Sequence, residues 1–407
     1  MLTSLSSRAL LALVLCVFAI LRAAPATADD AEDFYGTLSA AEQQEFRAWY
    51  RAKTHFDRRL DAYWYEVEKK RKGRRAKRSR TKFFDVSDYV WSFPPEYSGP
   101  SLNSGLAQRW SRFKAARAKS KPSTAREELP DIGDFLAASK KYYGFVPTRV
   151  SEHEFKRRYA QEALRLGMTK QQVVRVYALE TGGNGTADTQ SGVNPVTKKG
   201  RPISSALGYA QLLHANTIGE LVTSGDEFIA RLKRMAASTS SAGRAQELRA
   251  KIAALQRMQR VAKSVPNKWS KHMTLAKTPR GYGIHAINLD ADIGPWLQTI
   301  KLRGLKDYAR RKGYTNLSAE EFEIMNLSGP ATGLEMMAPV GLTAPTPNFF
   351  ARGAYYRNKM VMGKTSAELL AEFTRRMDYG SRKPGAVEFA QAFDEVSRPS
   401  SWQPVSR

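Results

Sequence analysis

The chain contains one cysteine, and its position restricts how the protein can be stabilised. Cys16 lies in an apolar run from Ala9 to Leu21, and the small residues Ala26-Thr27-Ala28 follow that run. This order is typical of a secretory signal, so we predict a signal peptide over residues 1–28 that is cleaved near Ala28. The alternative is an uncleaved anchor, although the run is shorter than the roughly 20 residues of a membrane span.

The predicted mature protein therefore has no cysteine. An exported chain without disulfides must be stabilised by the burial of apolar surface. The 407 residues are enough for such a core and correspond to about two domains. Thiol catalysis and thiolate metal sites are excluded for the processed chain.

The net charge of the chain indicates what kind of molecule the protein binds. The sequence has 65 Lys and Arg against 39 Asp and Glu, a net charge of +26, which becomes +24 when Arg8 and Arg22 leave with the signal. A polyanion is the expected partner of such a protein. For an exported, periplasmic or envelope-associated protein, the candidates are anionic wall polymer, the acidic peptide stems of peptidoglycan and phosphate-bearing lipid. The signal argues against nucleic acid.

Residues 29–144 form a predicted N-terminal region that is basic, partly helical and partly disordered. Ser39 to Glu42 has capping-box spacing, which predicts the start of a helix. Apolar residues then recur at about the helical period: Phe46, Trp49, Tyr50, Phe56, Leu60, Tyr63, Trp64 and Val67. We interpret this aromatic stripe as core or partner-helix packing rather than as a platform for sugars.

A block of like charges from Lys69 to Lys82 follows this helix. Like charges repel one another and no apolar face continues through the block, so it is typical of a solvated, flexible linker. The alternative is a tether that binds an anionic envelope surface. We place the domain boundary in the polar segment 115–130 or just after it.

The second predicted domain, residues 145–380, is mainly α-helical, and residues 381–407 are predicted to be a C-terminal tail. Residues 226–263 read as a helical hairpin inserted into this domain and broken at 238–243. Turns and a small hairpin are expected over 192–205, without a long strand. Capping-box spacing predicts helix starts at three places: Thr169 to Gln172, Ser318 to Glu321 and Thr365 to Glu368.

Three separated segments carry the candidate chemistry. A helix-like run ends at Glu180 and is followed at once by a glycine turn, which can present the carboxyl to a cleft. The segments, in chain order, are Glu180-Thr181-Gly182-Gly183-Asn184, Gly208-Tyr209-Ala210-Gln211-Leu212 and Met325-Asn326-Leu327-Ser328-Gly329-Pro330.

Together these segments resemble the lytic transglycosylase branch of the lysozyme-like superfamily. The resemblance covers about Thr169 to Gly333 and implies an α+β lysozyme-like fold. Thr181 replaces a serine of the family pattern and Ala210 replaces a methionine. Met325 stands where the family often has a tyrosine, a role that Tyr209 or Tyr282 could take over.

The resemblance implies cleavage of the MurNAc-GlcNAc bond of peptidoglycan by a single acid and base, Glu180. This carboxyl would protonate the leaving oxygen and then take a proton from the muramyl C6 hydroxyl, which closes a 1,6-anhydro ring. Thr181, Tyr209, Gln211 and Asn326 are the predicted substrate-binding residues, and no cofactor or metal is implied. Gln211 and Asn326 would hold sugar N-acetyl groups, or would instead be buried polar residues that tie loops to helices.

Other interpretations of the sequence remain. Asp188 could position a water as a second catalytic carboxylate, although a loop aspartate is more often a turn former. The five histidines show no close ligand spacing, which disfavours a metal enzyme. A noncatalytic protein that binds peptidoglycan, or an adaptor that binds a polyanion, would also be consistent with the sequence.

Overall fold

A computed structural model describes residues 28–118 and 129–397 of the chain. The predicted signal, apart from Ala28, lies outside these residues, as do Cys16 and residues 398–407. The described chain is mainly helical, as the sequence predicts. Its β pairing consists of isolated antiparallel bridges, and one of them joins Val193 to Gly200, where the sequence predicts a small hairpin.

The helices of the first half are α1 (Ala28–Tyr35), α2 (Ala40–Ser79), α3 (Ser104–Ala118), α4 (Ile132–Tyr143), α5 (Glu152–Arg165), α6 (Lys170–Thr181) and α7 (His214–Ser238). Those of the second half are α8 (Ala242–Lys263), α9 (Trp269–Ala276), α10 (Pro279–His285), α11 (Ile293–Arg310), α12 (Ala319–Ser328), α13 (Pro330–Met337), α14 (Pro339–Thr343), α15 (Arg352–Arg357), α16 (Ser366–Ser381) and α17 (Pro384–Ser397). Short 3-10 turns lie at Val86–Asp88, Ala286–Leu289 and Thr346–Asn348.

The described residues form two compact units. The α2 unit comprises residues 28–118 and 335–369, and the α6 unit comprises residues 129–334 and 370–397. These bounds differ from the predicted ones, because residues 335–369 pack with the N-terminal region. The predicted tail also contains the helix α17, whose Phe389 is fully buried.

Aromatic side chains form the core of the α2 unit. The ring centroid of Phe34 lies 5.1 Å from that of Phe46 on α2 and 4.9 Å from that of Trp110 on α3. Farther along α2, Trp64 is buried against Tyr355, with centroids 5.6 Å apart. The interpretation of the aromatic stripe as packing is therefore confirmed for these residues, as is the capping box at the start of α2.

The block of like charges is not the flexible linker that we expected, because α2 continues through it to Ser79. Arg74 is only 1% exposed, and its Nε donates to Oε1 of buried Glu335 at 2.6 Å. Arg78 donates to the other oxygen of the same carboxylate. A buried carboxylate from a distant segment thus neutralises two charges of the block, and local sequence does not reveal this pairing.

In the α6 unit, α6 packs against α5, α12 and α17. The predicted capping boxes at Thr169 and Ser318 are both formed. Helices α7 and α8 pack as an antiparallel pair on either side of a break at Thr239 to Ser241, which confirms the predicted helical hairpin. Apolar residues of this pair, including Leu232 and Leu255, belong to the main hydrophobic core of the unit.

Candidate functional site

Glu180 lies in the last turn of α6, and the glycines that follow fix its position. Gly182 and Gly183 adopt φ values of +66° and +77°, in the left-handed region that favours glycine. A Cβ on Gly183 would lie 2.1 Å from the Gly380 carbonyl oxygen, so no larger residue fits there. The Gly183 carbonyl also accepts a hydrogen bond from the Ala386 amide at 2.9 Å. Helix α17 therefore fastens the turn that carries the candidate acid.

The structure brings Glu180 together with Asn326, a predicted site residue that lies far away in the sequence. Nδ2 of Asn326 donates to Oε1 of Glu180 at 2.7 Å. Asn326 lies in the last turn of α12, which begins at the Ser318 cap and is followed by Gly329 at φ +88°. The contact thus joins the C-terminal ends of α6 and α12, which pack against each other. Both helices begin at a capping box and end at a glycine, and the sequence contains both signals.

A second carboxyl at this site, Glu323, was missed by the sequence analysis. It is 6% exposed, and both of its oxygens lie 3.4 Å from Nδ2 of Asn326. One side-chain amide therefore bridges the carboxyls of Glu180 and Glu323. Residues three apart on a helix share one face, so the spacing of Glu323 and Asn326 was the available signal.

Burial favours the neutral form of both carboxyls. It raises the pKa of Glu180, while the Lys301 ammonium and the hydrogen bond from Asn326 act in the opposite direction. Burial and the adjacent Glu180 charge raise the pKa of Glu323 well above its usual value. Ionising both of the carboxyls that share this amide is costly, which favours the protonated form of one of them.

A third glutamate and a lysine complete the electrostatic environment. Burial raises the pKa of Glu220 to about 7, against the opposing charges of Arg303 and Lys301. Lys301 therefore influences the pKa of all three carboxyls, and its Nζ donates to the Ala210 carbonyl oxygen at 3.2 Å. The sequence analysis identified neither Glu220 nor Lys301, because neither belongs to a local motif.

The other three predicted substrate-binding residues make internal hydrogen bonds. The Thr181 hydroxyl donates to the Tyr177 carbonyl at 2.7 Å. Tyr209 is 1% exposed, and its hydroxyl donates to Glu152 at 2.6 Å. Gln211 has a φ of +43°, and its Nε2 donates to the Gly208 carbonyl at 2.7 Å. In this arrangement their polar groups stabilise the loops and helices around the site.

Aromatic rings pack beneath α6. The Tyr177 and Tyr209 centroids are 5.0 Å apart, and Phe389 of α17 lies 5.4 Å from both Tyr209 and Tyr159. Burial and the Glu180 charge raise the pKa of Tyr159. The Tyr159 phenol is therefore neutral in the ring cluster next to Glu180.

The remaining residues considered in the sequence analysis lie in other environments. Met325 is fully buried. Tyr282 packs against Phe135 and His214, with centroid distances of 6.1 and 6.3 Å. Despite partial burial, hydrogen bonds from Thr186 and Lys198 lower the pKa of Asp188, which favours its role as a charged tie within the loop.

A cavity of about 390 Å³ in the α6 unit does not include Glu180 or Asn326. Its lining is charged, and its arginines already have carboxylate partners. Arg158 and Arg244 contact Asp292 at 2.9 and 2.6 Å, and Arg231 contacts Glu162 at 2.6 Å. We therefore assign the candidate chemistry to the glutamates and not to this cavity.

Comparisons of the chain with protein-family models, curated proteins and solved structures found no match. Over residues 28–118 and 129–397, no helix is both long enough and apolar enough to cross a membrane. The same residues contain no group of three or more His, Cys, Asp or Glu side chains placed to hold a metal ion.

Proposed function

We propose that the protein is an exported peptidoglycan lytic transglycosylase with a lysozyme-like catalytic unit. It would cleave the MurNAc-GlcNAc bond and leave a 1,6-anhydromuramyl end. The observation that carries this proposal is the 2.7 Å contact between Glu180 and Asn326. The sequence resemblance selects these two residues from separate segments, and folding brings them together.

The electrostatics of Glu180 are suitable for both halves of the reaction. Cleavage needs a protonated acid for the leaving oxygen, and burial favours this form by raising the pKa of Glu180. Ring closure then needs a carboxylate that accepts the proton of the muramyl C6 hydroxyl. Lys301 and the Asn326 amide both favour that charged form. The same carboxyl can therefore give up a proton and later regain one.

A noncatalytic protein that binds peptidoglycan is the second candidate. Ala210 favours it, because it replaces the methionine of the family pattern. Met325 at the expected tyrosine position favours it as well. Such a protein would bind the glycan strand without turnover.

The test is mass spectrometry of the soluble products that purified mature protein releases from peptidoglycan sacculi. We expect anhydromuramyl products from the wild type and a loss of at least about 100-fold in Glu180→Gln, because general acid–base catalysis contributes about that much or more. Glu372→Gln is the matched control, since Glu372 forms exposed ion pairs with Arg375 and Arg376 on α16. This control should retain full activity.

Other results would redirect the assignment. Products with reducing ends would indicate a hydrolase. Sacculus binding without products, from wild-type protein with a normal circular dichroism spectrum, would support the noncatalytic candidate. Equal activity of wild type and Glu180→Gln would contradict the role of this carboxyl.

A further inference from the structure

The C-terminal end of α2 carries cations that the fold does not neutralise. Lys72, Arg80 and Lys82 are exposed and Arg75 is half-buried. None of these four side chains forms an ion pair within the described parts of the chain. Burial and then charge repulsion by Arg75 lower the pKa of Arg71, so the Arg75 charge lies next to another cation. Uncompensated cations grouped in this way favour an anionic partner.

Two apolar side chains lie beside these cations, just after the helix. Phe83 is 95% exposed and Val86 is 61% exposed. Thr81, at a φ of +55°, turns the chain where α2 ends. A single exposed apolar residue is common on protein surfaces, but a phenyl ring exposed to this extent directly after a run of cations is a specific combination. We call the cluster of Lys72, Arg75, Arg80, Lys82, Phe83 and Val86 the basic tip.

The loop that carries the basic tip is fastened to α2 by inward-facing cations. Lys70 donates to the Ser87 and Tyr89 carbonyls at 2.7 and 3.0 Å. Lys77 contacts the carboxylate of Asp88 at 2.6 Å and that of Asp85 at 3.1 Å. The acidic groups closest to Phe83 along the chain are thus held by Lys77. The loop presents Phe83 and Val86 without first having to become ordered, which lowers the entropic cost of binding.

We infer that the basic tip docks the protein on the surface of a bilayer that contains anionic phospholipid. The cations would lie among the phosphate groups, while Phe83 and Val86 enter the boundary between headgroups and acyl chains. Charge complementarity alone would also fit a soluble polyanion. Such a polymer, however, offers no apolar phase for Phe83. This inference is independent of the activity proposed for Glu180.

The test is co-sedimentation of the full mature chain with two kinds of vesicle, phosphatidylcholine alone and phosphatidylcholine mixed with phosphatidylglycerol. We expect binding to the anionic vesicles only, and weaker binding as salt is added. Arg80→Gln and Lys82→Gln should each weaken binding about fivefold. Phe83→Ser should weaken it about tenfold or more, because the ring no longer leaves water.

Ile203→Ser is the matched control for Phe83→Ser. Ile203 is 72% exposed but lies in the α6 unit, away from the basic tip in the sequence, so binding should not change. Equal binding to both vesicle types, or no binding, would overturn the inference. If Phe83→Ser had no effect while the charge variants were impaired and soluble polyphosphate displaced the vesicles, the partner would be a soluble polyanion.

Because all the altered side chains are exposed, circular dichroism should be unchanged in every variant. A second measurement uses Phe83→Trp, whose fluorescence should shift to the blue with anionic vesicles and be quenched by brominated lipid. If the fluorescence of Phe83→Trp does not shift when the protein is bound to vesicles, position 83 does not enter the bilayer and the inference is wrong. Sacculus cleavage, measured separately, reports on Glu180 and not on the basic tip.

Discussion

Each compact unit buries a glutamate to nearly the same extent, but the two glutamates have different partners. Glu335 in the α2 unit is 5% exposed, and Glu323 in the α6 unit is 6% exposed. Two guanidinium groups, from Arg74 and Arg78, surround the first. The second contacts a neutral amide and lies beside another carboxyl, Glu180.

The comparison shows that the partner, and not burial, decides what a buried glutamate can do. Arginine is always charged, so Arg74 and Arg78 hold the Glu335 side chain in a fixed ion pair. An amide places no such requirement on Glu323 or Glu180, and burial favours their protonated forms. The first environment is suited to holding a helix in place. The second is suited to exchanging a proton.

The largest loss of stability is expected when Glu335 is replaced, and it should exceed the loss when Glu323 is replaced. Glu335→Gln would leave Arg74 buried without its countercharge, which typically costs about 3–5 kcal/mol. The measurement is urea unfolding followed by circular dichroism at neutral pH. Glu323→Gln is the matched control, because it replaces a carboxyl that favours its neutral form. Equal losses of unfolding free energy in the two variants would mean that Glu335 and Glu323 contribute to stability in the same way.

The pH dependence of stability should also distinguish Glu323 from an ion-paired glutamate such as Glu335. The pKa of Glu323 is raised by folding, so the folded chain keeps a proton that the unfolded chain releases above its ordinary pKa of 4.5. This contribution is fully present below that pH and is lost as pH rises through the folded-state pKa. We therefore expect Glu323→Gln to gain stability relative to the wild type as pH increases from 4.5. A constant difference across the unfolding series would contradict the raised pKa.

The smallest effect is expected at an exposed ion pair of the α2 unit. Arg352 contacts Asp61, whose side chain is 65% exposed, and such pairs contribute about 0–1 kcal/mol. Arg352→Gln should therefore change the free energy of unfolding by less than about 1 kcal/mol. Thermal unfolding at low and high salt tests this expectation. A loss as large as that of Glu335→Gln would mean that exposure is a poor guide to the strength of an ion pair here.

Local patterns in the sequence predicted the features that depend on neighbouring residues. The capping boxes at Ser39, Thr169 and Ser318 formed because the interacting groups are three residues apart. The α7–α8 hairpin and the packing of Phe46 and Trp64 also followed from helical periodicity. These elements need little information from the rest of the chain.

Features that depend on distant partners could not be predicted in this way. The burial of Arg74 in the basic block is matched by its contact with Glu335, and the electrostatics of Glu323 depend on Glu180 and Lys301. The sequence motifs identified Glu180 and Asn326, but they did not indicate that Gln211 and Tyr209 would hydrogen bond internally. A single sequence shows which residue types recur and at what spacing. It does not show which distant residues they contact in the folded chain.

The hydrogen bond between α17 and the turn after α6 has a consequence for the order in which the site around Glu180 is assembled. The Ala386 amide supports the turn after Glu180 and Phe389 packs against Tyr177 of α6, yet both residues are among the last described ones to leave the ribosome. The turn after Glu180 therefore gains its hydrogen bond from the Ala386 amide only after α17 has been synthesised. The chain thus carries its own delay between synthesis and the assembly of the site.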